Sequence, residues 1–538
     1  MRLFTTVAGL RCYLKQWRSS QGEDIHSPPN NNLRFSCDGL APSIGLVPTM
    51  GALHAGHLSL IQRARQQNDC VVVSIFVNPL QFGPNEDFQQ YPRTLDRDQQ
   101  LCEAAEVDVI FAPTAEALYG TVPAAQLTQV MPPKTLMAGL CGRSRLGHFE
   151  GVATVVTKLL NIVQPDRAYF GQKDAQQVAI LRQLITDLNL PVELVVCPIM
   201  REANGLALSS RNQYLSADQR SSAAAIYHSL QQAQQAFQAG VRHGERLIEL
   251  VRSALQIYPD IQPEYIELVH PDTMTPLEQV EETGLLAIAA RLGSTRLIDN
   301  IVLSYRQPIL AIDGPAGAGK STVVRQVAQT LGLLYLDTGA MYRAVTWLVL
   351  DAGIAIDDEA AIAELVSQCQ IEISGDPATM RVSINDRDVT HAIRSLEVTA
   401  KVSVIAAQPV VRRELVKRQQ EYGRRGGIVM DGRDIGTCVF PDAELKIFLT
   451  ASVEERARRR QQDLKDQGQP EVPLKELERA IYERDLKDST RQISPLRKAA
   501  DAIELQTDAL DVNQVVAKIV ALYRAKVVQL QEPSPALS

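Results

Sequence analysis

The sequence lacks the marks of a membrane protein, of a secreted disulfide-rich protein and of a general nucleic-acid binder. No apolar run reaches the roughly 18 residues of a membrane span, and the first residues have no long apolar core followed by small residues. The eight cysteines are scattered, without a CxxC pair or metal-like spacing, which predicts reduced thiols in a cytoplasm. The net charge of −7 predicts that nucleic acid is not a partner, because such binders carry a basic surplus.

What is present has the composition of a soluble globular protein, with 45% hydrophobic and 22% charged residues. A chain of 538 residues predicts roughly two to four domains. In its first part, short apolar runs alternate with helical stretches, which predicts a parallel sheet covered on both faces. A first strand and helix are predicted at the amino terminus, and the strands that follow are predicted at 44–48, 71–77, 107–113 and 192–200.

Two further segments of the first part differ in composition. Residues 19–42 are rich in Ser, Pro, Asn and Gly and predict a surface loop or mobile insert. A helical region from about Ser216 precedes three apolar runs, which together predict a small α+β domain; the runs are 264–270, 285–293 and 295–303. The first part is therefore expected to hold a larger domain over about 1–200 and a smaller one over about 201–304.

The strand-then-helix pattern starts again at Pro308. The strands predicted after this point are 308–313, 427–431, 445–450 and 502–507. The two parts share no repeated motif, which favours fusion over duplication. The boundary is expected at 304–307, with a second α/β domain over 305–538 that ends in a disordered tail at 531–538.

The segment "GPAGAGKS", Gly314 to Ser321, fits the pattern G-x-x-x-x-G-K-[ST] after a strand and before a helix. Its glycines permit a backbone nest of N–H groups, and Lys320 and Ser321 are suited to the β- and γ-phosphates and to Mg²⁺, respectively. A glycine-rich turn with a chance lysine is the alternative, which the strand–loop–helix context disfavours. The predicted ATP contacts of this half are Gly314, Pro315, Ala316, Gly317, Ala318, Gly319, Lys320, Ser321 and Thr322.

Three segments, "LDTGAMYRA" (336–344), "DGRDIGTCVFPDAELKIFL" (431–449) and "ERDLKDSTRQISPL" (483–496), resemble bacterial cytidylate kinases. The resemblance covers about 308–526 and implies a P-loop nucleoside monophosphate kinase fold that phosphorylates CMP and dCMP, with UMP as an open alternative. It implies that CMP is surrounded by Thr338, Arg343, Ser403, Arg412, Arg433, Asp434, Arg484, Asp488 and Arg491.

The chemistry of these residue types agrees with that implication. A fork of arginines binds a monophosphate dianion bidentately. Asp434 and Asp488 are suited to accept hydrogen bonds from the base amine and the ribose hydroxyls. The basic run 456–460 resembles the lid of these kinases, with Arg456 and Arg460 as lid arginines and the other members as a solvated face. Thr338 stands where many relatives carry Ser, and the hydroxyl is kept.

In the first part, "VPTMGALHAGHLSL" (47–60) places His54 and His57 three residues apart at a strand-to-helix junction. A metal site is disfavoured because no third ligand is evident nearby. A pair of structural histidines stays open on this motif alone. The small residues around the pair favour a third interpretation, in which a nucleotide lies against the backbone and the imidazoles stabilise charge as an adenylate forms.

The segments "VNPLQF" (77–82), "YPRT" (91–94), "PDRAYFGQKD" (165–174) and "LALSSRN" (206–212) resemble the pantoate–β-alanine ligase family, over about 1–304 without the insert. The resemblance implies a Rossmann-like nucleotidyltransferase sheet followed by a small α+β domain. It also implies two reactions: pantoate and ATP give pantoyl adenylate and pyrophosphate, and β-alanine then gives pantothenate and AMP.

The same resemblance implies the site residues of this half. Catalytic roles fall to His54, His57, Lys173 and Arg211. In the other half, the glycine-loop motif gives the catalytic role to Lys320. ATP is held by Met50, Gly51, Ala52, Leu53, His54, Ala55, Gly56, His57, Gly171, Gln172, Lys173, Asp174, Met200, Leu208, Ser209, Ser210 and Arg211. Pantoate or β-alanine is held by Asn78, Gln81 and Gln177, since amides both donate to and accept from hydroxyls and a carboxylate.

The sequence thus predicts a bifunctional enzyme that uses ATP and Mg²⁺, with a homodimer through the ligase half. The alternatives are another carboxylate or nucleotide acceptor, or one half acting as a degenerate nucleotide-binding regulator of the other. Leu208 replaces a Met of some relatives, a near-isosteric change. His148 is interpreted as a loop histidine, with contact to a ligand loop as the alternative.

Overall fold

The computed structural model describes residues 1–23, 42–84, 86–121, 126–375, 380–466, 472–490 and 494–531. The chain divides into two compact units, Met1–Tyr305 and Arg306–Ser538. None of the helices in these ranges combines the length and apolarity that a bilayer crossing requires.

The first unit is built on a six-stranded sheet in which every paired strand is parallel. The strand order is β1-β4-β3-β2-β5-β6. The strands are β1 (Arg2–Phe4), β2 (Ile44–Thr49), β3 (Cys70–Ile75), β4 (Val109–Phe111), β5 (Arg167–Gly171) and β6 (Glu193–Cys197). The order reverses at the central strand β2, and ligands of such sheets bind outside the carboxyl ends of the strands at this point. The α/β prediction for this unit is confirmed.

Helices cover both faces of this sheet, and apolar cores lie on either side of it. The helices of the unit are α1 (Val7–Glu23), α2 (Ala55–Gln67), α3 (Leu95–Ala104), α4 (Ala115–Tyr119), α5 (Lys134–Met137), α6 (Leu140–Ser144), α7 (His148–Val163), α8 (Ala175–Asp187), α9 (Ala217–Gln238) and α10 (Gly244–Leu255). The loop predicted from residue 19 is wrong over 19–23, where α1 continues. Most of the predicted insert, 24–41, lies outside the described residues.

The small part of this unit is the predicted α+β arrangement. Ser216 caps α9: its hydroxyl accepts from the Gln219 N–H, and the Gln219 side chain accepts from the Ser216 N–H. Three antiparallel strands pack an apolar face against α9 and α10, because alternating buried residues line one side of the sheet. The strands are β7 (Ile261–Val269), β8 (Thr283–Leu292) and β9 (Thr295–Ser304).

The second unit has a five-stranded parallel sheet in the order β11-β15-β10-β16-β17. Its strands are β10 (Leu310–Asp313), β11 (Leu334–Asp337), β15 (Ile428–Gly432), β16 (Leu445–Thr450) and β17 (Ile503–Gln506). A separate antiparallel sheet contains β12 (Ile371–Ser374), β13 (Arg381–Ile384) and β14 (Arg387–Asp388). Sequence patterning found neither β11 nor this second sheet.

The helices of the second unit are α11 (Lys320–Leu331), α12 (Thr338–Asp351), α13 (Glu359–Gln368), α14 (Leu396–Ile405), α15 (Pro409–Tyr422), α16 (Val453–Asp466), α17 (Leu474–Thr490) and α18 (Val512–Gln531). α11 packs with α18 on one face of the parallel sheet, and α12 and α15 lie on the other. The predicted disordered tail lies outside the described residues beyond Gln531. The carboxyl ends of β10 and β15 lead directly into the segments that carry the phosphate motif and "DGRD".

Candidate active sites

The histidine pair forms the start of helix α2. The Nδ1 atom of His54 accepts from the Gly56 N–H at 3.1 Å, and the Nδ1 atom of His57 accepts from the His54 N–H at 3.4 Å. Burial and the nearby Lys173 charge together lower the pKa of His54 to about 4. Burial, His54 and Lys173 together lower the pKa of His57 to about 3. Both rings are therefore neutral near pH 7, with Nδ1 as acceptor and Nε2–H left as a donor.

The turn before the pair is held by a carboxylate that sequence reasoning missed. Gly51 and Ala52 adopt φ of +84° and +51°, a left-handed conformation that tightens the turn. Asp98 on α3, only 1% exposed, accepts from the Ala52 N–H at 2.9 Å and the Leu53 N–H at 2.8 Å. Thr94 donates its hydroxyl to the same carboxylate. Asp98 therefore fixes the backbone that leads to the histidines.

The amide of Asn78 is fully occupied by protein groups. Its Nδ2 donates to the Gly151 carbonyl at 3.1 Å and to Oε1 of Gln81 at 3.2 Å. Its Oδ1 accepts from the Leu80 N–H at 3.2 Å and the Tyr119 hydroxyl at 2.9 Å. An amide has two donor hydrogens and two acceptor lone pairs, so all four are used here. Asn78 therefore orients Gln81 and has no hydrogen-bonding group left for a substrate.

A cavity of about 180 Å³ brings the histidine motif and both predicted glutamines together. Its polar walls include Met50, His57, Asn78, Gln81, Tyr91, Arg145, His148, Asp174, Gln177 and Arg211. His148 is not a surface loop residue: its Nδ1 lies 2.7 Å from the Gln81 carbonyl, and its Nε2 lies 2.9 Å from Nη1 of Arg145. Arg145 in turn pairs with Glu86 at 2.6 Å. Sequence reasoning missed Arg145 in this wall, since "RLGHFEG" carries no periodic signal.

The residues predicted for the triphosphate lie beside an adjoining cavity of about 430 Å³ that contains Lys173, Asp174, Ser209 and Arg211. Arg211 binds Asp87 through two hydrogen bonds of 2.8 and 2.9 Å. Ser210 lies within 3.2 Å of the Tyr91 hydroxyl. The carbonyls of Gln172 and Lys173 both accept from Asn300 at 3.0 Å, which anchors this loop to strand β9.

The remaining predicted ATP contacts flank this region. The Leu208 N–H donates to the Met200 carbonyl at 2.9 Å, and the Met200 side chain is exposed. A Cβ placed on Gly56 would lie 3.7 Å from Cβ of Leu208, so this segment adjoins the histidine motif. Gly171 ends strand β5, two residues before Lys173.

In the second unit, the glycine loop follows β10 and opens α11. Gly314, Gly317 and Gly319 have φ of +153°, +77° and +79°, and a Cβ on Gly314 would lie 2.0 Å from the Leu449 carbonyl oxygen. The buried Lys320 donates to the carbonyls of Gly314 and Pro315, both at 2.7 Å. The lysine therefore braces the loop from within.

A cleft of about 1610 Å³ joins this loop to the predicted acceptor residues. It is lined by residues 316–322 of the loop region and by Thr338, Arg343, Ser403, Arg412, Arg433, Asp434, Arg484 and Asp488. Arg491 lies outside the described residues. Arg412 is paired with Asp434 in a buried contact, and Arg433 lies 3.0 Å from Asp488. The two carboxylates expected to hold base and ribose are therefore already bound to arginines.

Two buried aspartates beside the loop were not predicted. Asp431, at the end of β15, accepts from the Ser321 hydroxyl at 3.0 Å. Asp313, at the end of β10, accepts from the N–H groups of Ile435 and Gly436 at 2.8 and 2.7 Å. Burial raises the pKa of each to about 6. Within the described ranges, no group of three or more His, Cys, Asp or Glu side chains is arranged to hold a metal ion.

The basic run 456–460 was predicted to supply Arg456 and Arg460 as lid arginines, with its other members on a solvated face. This prediction is wrong in part. Arg460 is exposed and does not line the cleft. Arg459 does line it, and its guanidinium donates to the Thr507 carbonyl at 2.8 Å. Arg456 is buried rather than free to reach a substrate. A helix face turned inward thus explains the spacing of Arg456 and Arg459.

Two family models match the chain: pantoate-beta-alanine ligase over residues 3–302 and cytidylate kinase over 310–525. The bifunctional pantoate ligase/cytidylate kinase of Trichormus variabilis is 62% identical, covering 98% of this chain and all of the relative. That of Trichodesmium erythraeum is 55% identical, covering 97% and 98%. A crystal structure of pantothenate synthetase from Thermus thermophilus is 42% identical, covers 56% of this chain and 99% of that one, and has a TM-score of 0.49. Both matched families are those that the motifs resemble.

Proposed function

The chain belongs to the bifunctional pantoate ligase/cytidylate kinase family, and we propose that residues 1–304 carry the ligase and 305–538 the kinase. The ligase condenses pantoate with β-alanine at the expense of ATP, releasing AMP and pyrophosphate. The kinase transfers the γ-phosphoryl group of ATP to CMP, and we propose dCMP as a second acceptor. The support for this division is that the two family matches end at 302 and begin at 310.

In the ligase, the pantoate carboxylate attacks the α-phosphorus of ATP. A bond forms from carboxylate oxygen to phosphorus, the bond from that phosphorus to the bridging oxygen breaks, and pyrophosphate leaves. His54 and His57 are assigned to donate from Nε2–H to the phosphate oxygens on which charge develops. Neutral imidazoles fit this role because they remain donors without a proton having to be taken up first. Lys173 and Arg211 are assigned to the β- and γ-phosphates.

The second ligase step is attack of the β-alanine amine on the mixed anhydride. A C–N bond forms, AMP leaves, and the amine loses a proton. Gln81 and Gln177 are assigned to the pantoate hydroxyls and carboxylate. The network through Asn78 supports this assignment because it fixes which way the Gln81 amide faces. Asn78 itself is assigned a positioning role, not a substrate contact.

In the kinase, an oxygen of the CMP phosphate attacks the γ-phosphorus of ATP, and ADP leaves. Positioning and charge stabilisation supply most of the catalysis in such transfers. The loop N–H groups and Lys320 are assigned to the ATP phosphates, and Arg343, Arg433 and Arg484 to the acceptor phosphate. Asp434, held by Arg412, is assigned to the amine of cytosine, which distinguishes cytosine from uracil through its donor hydrogens.

Mg²⁺ is proposed for the kinase site, and the residues present fit it. The Ser321 hydroxyl and the Asp431 carboxylate lie within 3.0 Å of each other, and hard oxygen donors of this kind suit Mg²⁺. Burial and the neighbouring Asp337 charge raise the pKa of Asp431, and a cation bound beside this carboxylate would offset both effects. When bound there with nucleotide, the ion supplies charge neutralisation for the phosphates.

A homodimer through the ligase unit and a cytoplasmic location are proposed as well. Seven free cysteines in the described part of the chain agree with a reducing compartment. Analytical ultracentrifugation of the full chain and of residues 1–305 tests the dimer. A monomer in both samples contradicts it.

The proposal rests on one observation in each unit. In the first unit the histidine motif lines a cavity, and in the second unit the glycine loop lines a cleft. The test is a substrate panel on the intact chain. Pantoate should trigger pyrophosphate release and, with β-alanine, pantothenate; CMP and dCMP should trigger ADP release more strongly than UMP or AMP. Pyrophosphate release with another hydroxy acid but not with pantoate contradicts the ligase assignment. No ADP release with any monophosphate supports a degenerate second unit instead.

A further inference from the structure

Arg456, in the first turn of α16, is one of the most enclosed cations of the second unit, with 4% of its surface exposed. Its Nε donates to the Ala451 carbonyl at 3.0 Å. Its Nη1 donates to the Ala316 carbonyl at 3.0 Å, and its Nη2 donates to Oδ2 of Asp485 at 2.6 Å. One guanidinium therefore joins three segments: the connection between β16 and its own helix, the glycine loop and helix α17.

The contact with Ala316 bears on the loop's ability to bind phosphate. In a trans peptide the carbonyl of one residue and the N–H of the next point in opposite directions. Holding the Ala316 carbonyl toward Arg456 therefore directs the Gly317 N–H away from that side. Lys320 holds the carbonyls of Gly314 and Pro315 in the same loop. The carbonyls of Gly314, Pro315 and Ala316 are thus bound by two buried cations. This leaves the N–H groups of Ala316 and Gly317 available to an anion, whereas Pro315 has no N–H to offer.

The contact with Asp485 leads to the acceptor side of the cleft. Arg484 and Asp488 lie four residues apart on α17 and both line the cleft. Asp485 lies about 100° around the helix from Arg484, on the side that contacts α16. Its Oδ1 is buried without a hydrogen-bond partner among the described residues. Among the described residues, Arg456 is thus the only cation that forms a salt bridge with this carboxylate.

We infer that the Arg456–Asp485 pair is a positioning device that couples the acceptor site on α17 to the donor site in the glycine loop. This inference rests on the proposed kinase function. A shift of α17 when CMP binds its arginines is transmitted through Asp485 to Arg456 and so to the Ala316–Gly317 peptide. Coupling of two sites through one element is reciprocal, so CMP should tighten ATP binding by the factor by which ATP tightens CMP binding.

Lysine is the informative replacement for Arg456. An ammonium group lacks the planar fork with which the guanidinium reaches Ala316 and Asp485 at once. Arg456→Lys therefore keeps the positive charge but cannot hold Ala316 and Asp485 at the same time. Arg458→Lys is the matched control, because Arg458 lies two residues away, is exposed and, among the residues that the structure describes, forms its salt bridge with Glu455 of its own helix.

The experiment measures binding of a β,γ-imido analogue of ATP to the full chain by calorimetry, with and without CMP. The data are fitted to two sites, because the ligase unit is proposed to bind ATP as well, and the affinity of the kinase site is compared. We expect CMP to tighten analogue binding on the order of 5- to 150-fold in the wild type and in Arg458→Lys. In Arg456→Lys and in Asp485→Ala the factor should fall to about twofold or less, with the double variant no lower than either single one. Pantothenate formation on the same chain reports whether the rest of the protein is intact.

Two results overturn the inference. One is a wild type in which CMP leaves analogue affinity unchanged. The other is that Arg456→Lys and Asp485→Ala melt at lower temperature but keep the wild-type effect of CMP on analogue affinity. That result would mean that Arg456 contributes to stability alone. If the wild type binds no CMP and phosphorylates none, the proposed kinase function fails instead, so the two failures are distinguishable.

Discussion

The imidazole rings of His54 and His57 lie 4.1 Å apart between centroids, each accepting a backbone N–H through Nδ1. This arrangement commits both rings to one tautomer and to the neutral state. It also explains why two histidines follow small residues at a helix start. They serve as the cap of the helix and as donors toward the site at the same time.

The first prediction concerns pH. The pKa of His57 is lowered to about 3, against an ordinary value near 6.5, so the unfolded chain binds more protons between these values. The free energy of unfolding should therefore fall as pH falls from about 6.5, with this residue accounting for about 2 kcal/mol at pH 5. In His57→Gln, the free energy of unfolding should fall less steeply as the pH falls. Calorimetry measures this on the unfolding transition of the ligase unit, which is the transition whose midpoint temperature ATP and pantoate raise. The exposed His228→Gln should keep the wild-type slope, and an equal slope in both variants contradicts the shift.

The second prediction concerns Asp98. Each of its oxygens accepts one backbone N–H of the turn before His54, so an amide in its place sets an NH₂ group against an N–H donor. A lost charged acceptor costs about 1–3 kcal/mol, so Asp98→Asn should raise the KM for ATP in pantothenate formation about 10- to 100-fold. CMP phosphorylation by the same sample should be unchanged. Asp96→Asn, on the exposed face of the same helix, is the control.

The third prediction concerns Asn78, whose amide has all its hydrogen bonds within the protein. Asn78→Ala releases Gln81 from its fixed orientation and should raise the KM for pantoate about tenfold with a smaller change in kcat. Steady-state kinetics with pantoate varied and ATP saturating provides the measurement. The exposed Asn161→Ala should behave as wild type. An unchanged KM for pantoate in Asn78→Ala removes Gln81 from the pantoate site.

The fourth prediction concerns Asp431 and the ion proposed beside it. Asp431→Asn retains size but removes the charge next to Ser321, so the Mg²⁺ concentration for half-maximal CMP phosphorylation should rise at least about tenfold. Asp357→Asn, exposed at the surface of the same unit, serves as control. An unaltered Mg²⁺ requirement in Asp431→Asn assigns that aspartate to the loop's structure only.

The features that could be predicted from the sequence are those formed by residues close together in the chain. The glycine loop is a contiguous motif between strand and helix, and the apolar runs of β2, β3 and β16 lie where continuous hydrophobicity placed them. Strand β11 was missed because "LYLD" is short, and β12 to β14 because their alternation is weak and interrupted. Motif resemblance also brought eight acceptor residues to one cleft.

The features that sequence reasoning missed depend on partners distant in sequence. Asp98 acts on N–H groups 45 and 46 residues away, and nothing in its own neighbourhood indicates this. Arg456 belongs to a basic run that is typical of a solvated face, yet its partners are 140 residues before it and 29 after it. His148 contacts a carbonyl 67 residues away. Burial of a polar group against distant backbone is visible only once the chain is folded.

Reciprocal inactivation tests whether one chain carries two ATP sites that work independently. Lys320→Ala and His57→Ala are each assayed in the full chain for pantothenate formation and for CMP phosphorylation. Lys320→Ala should lower CMP phosphorylation by at least about 100-fold and leave pantothenate formation normal. His57→Ala should lower pantothenate formation to a similar extent and leave CMP phosphorylation normal. Loss of both activities in either folded variant would contradict the independence of the two sites.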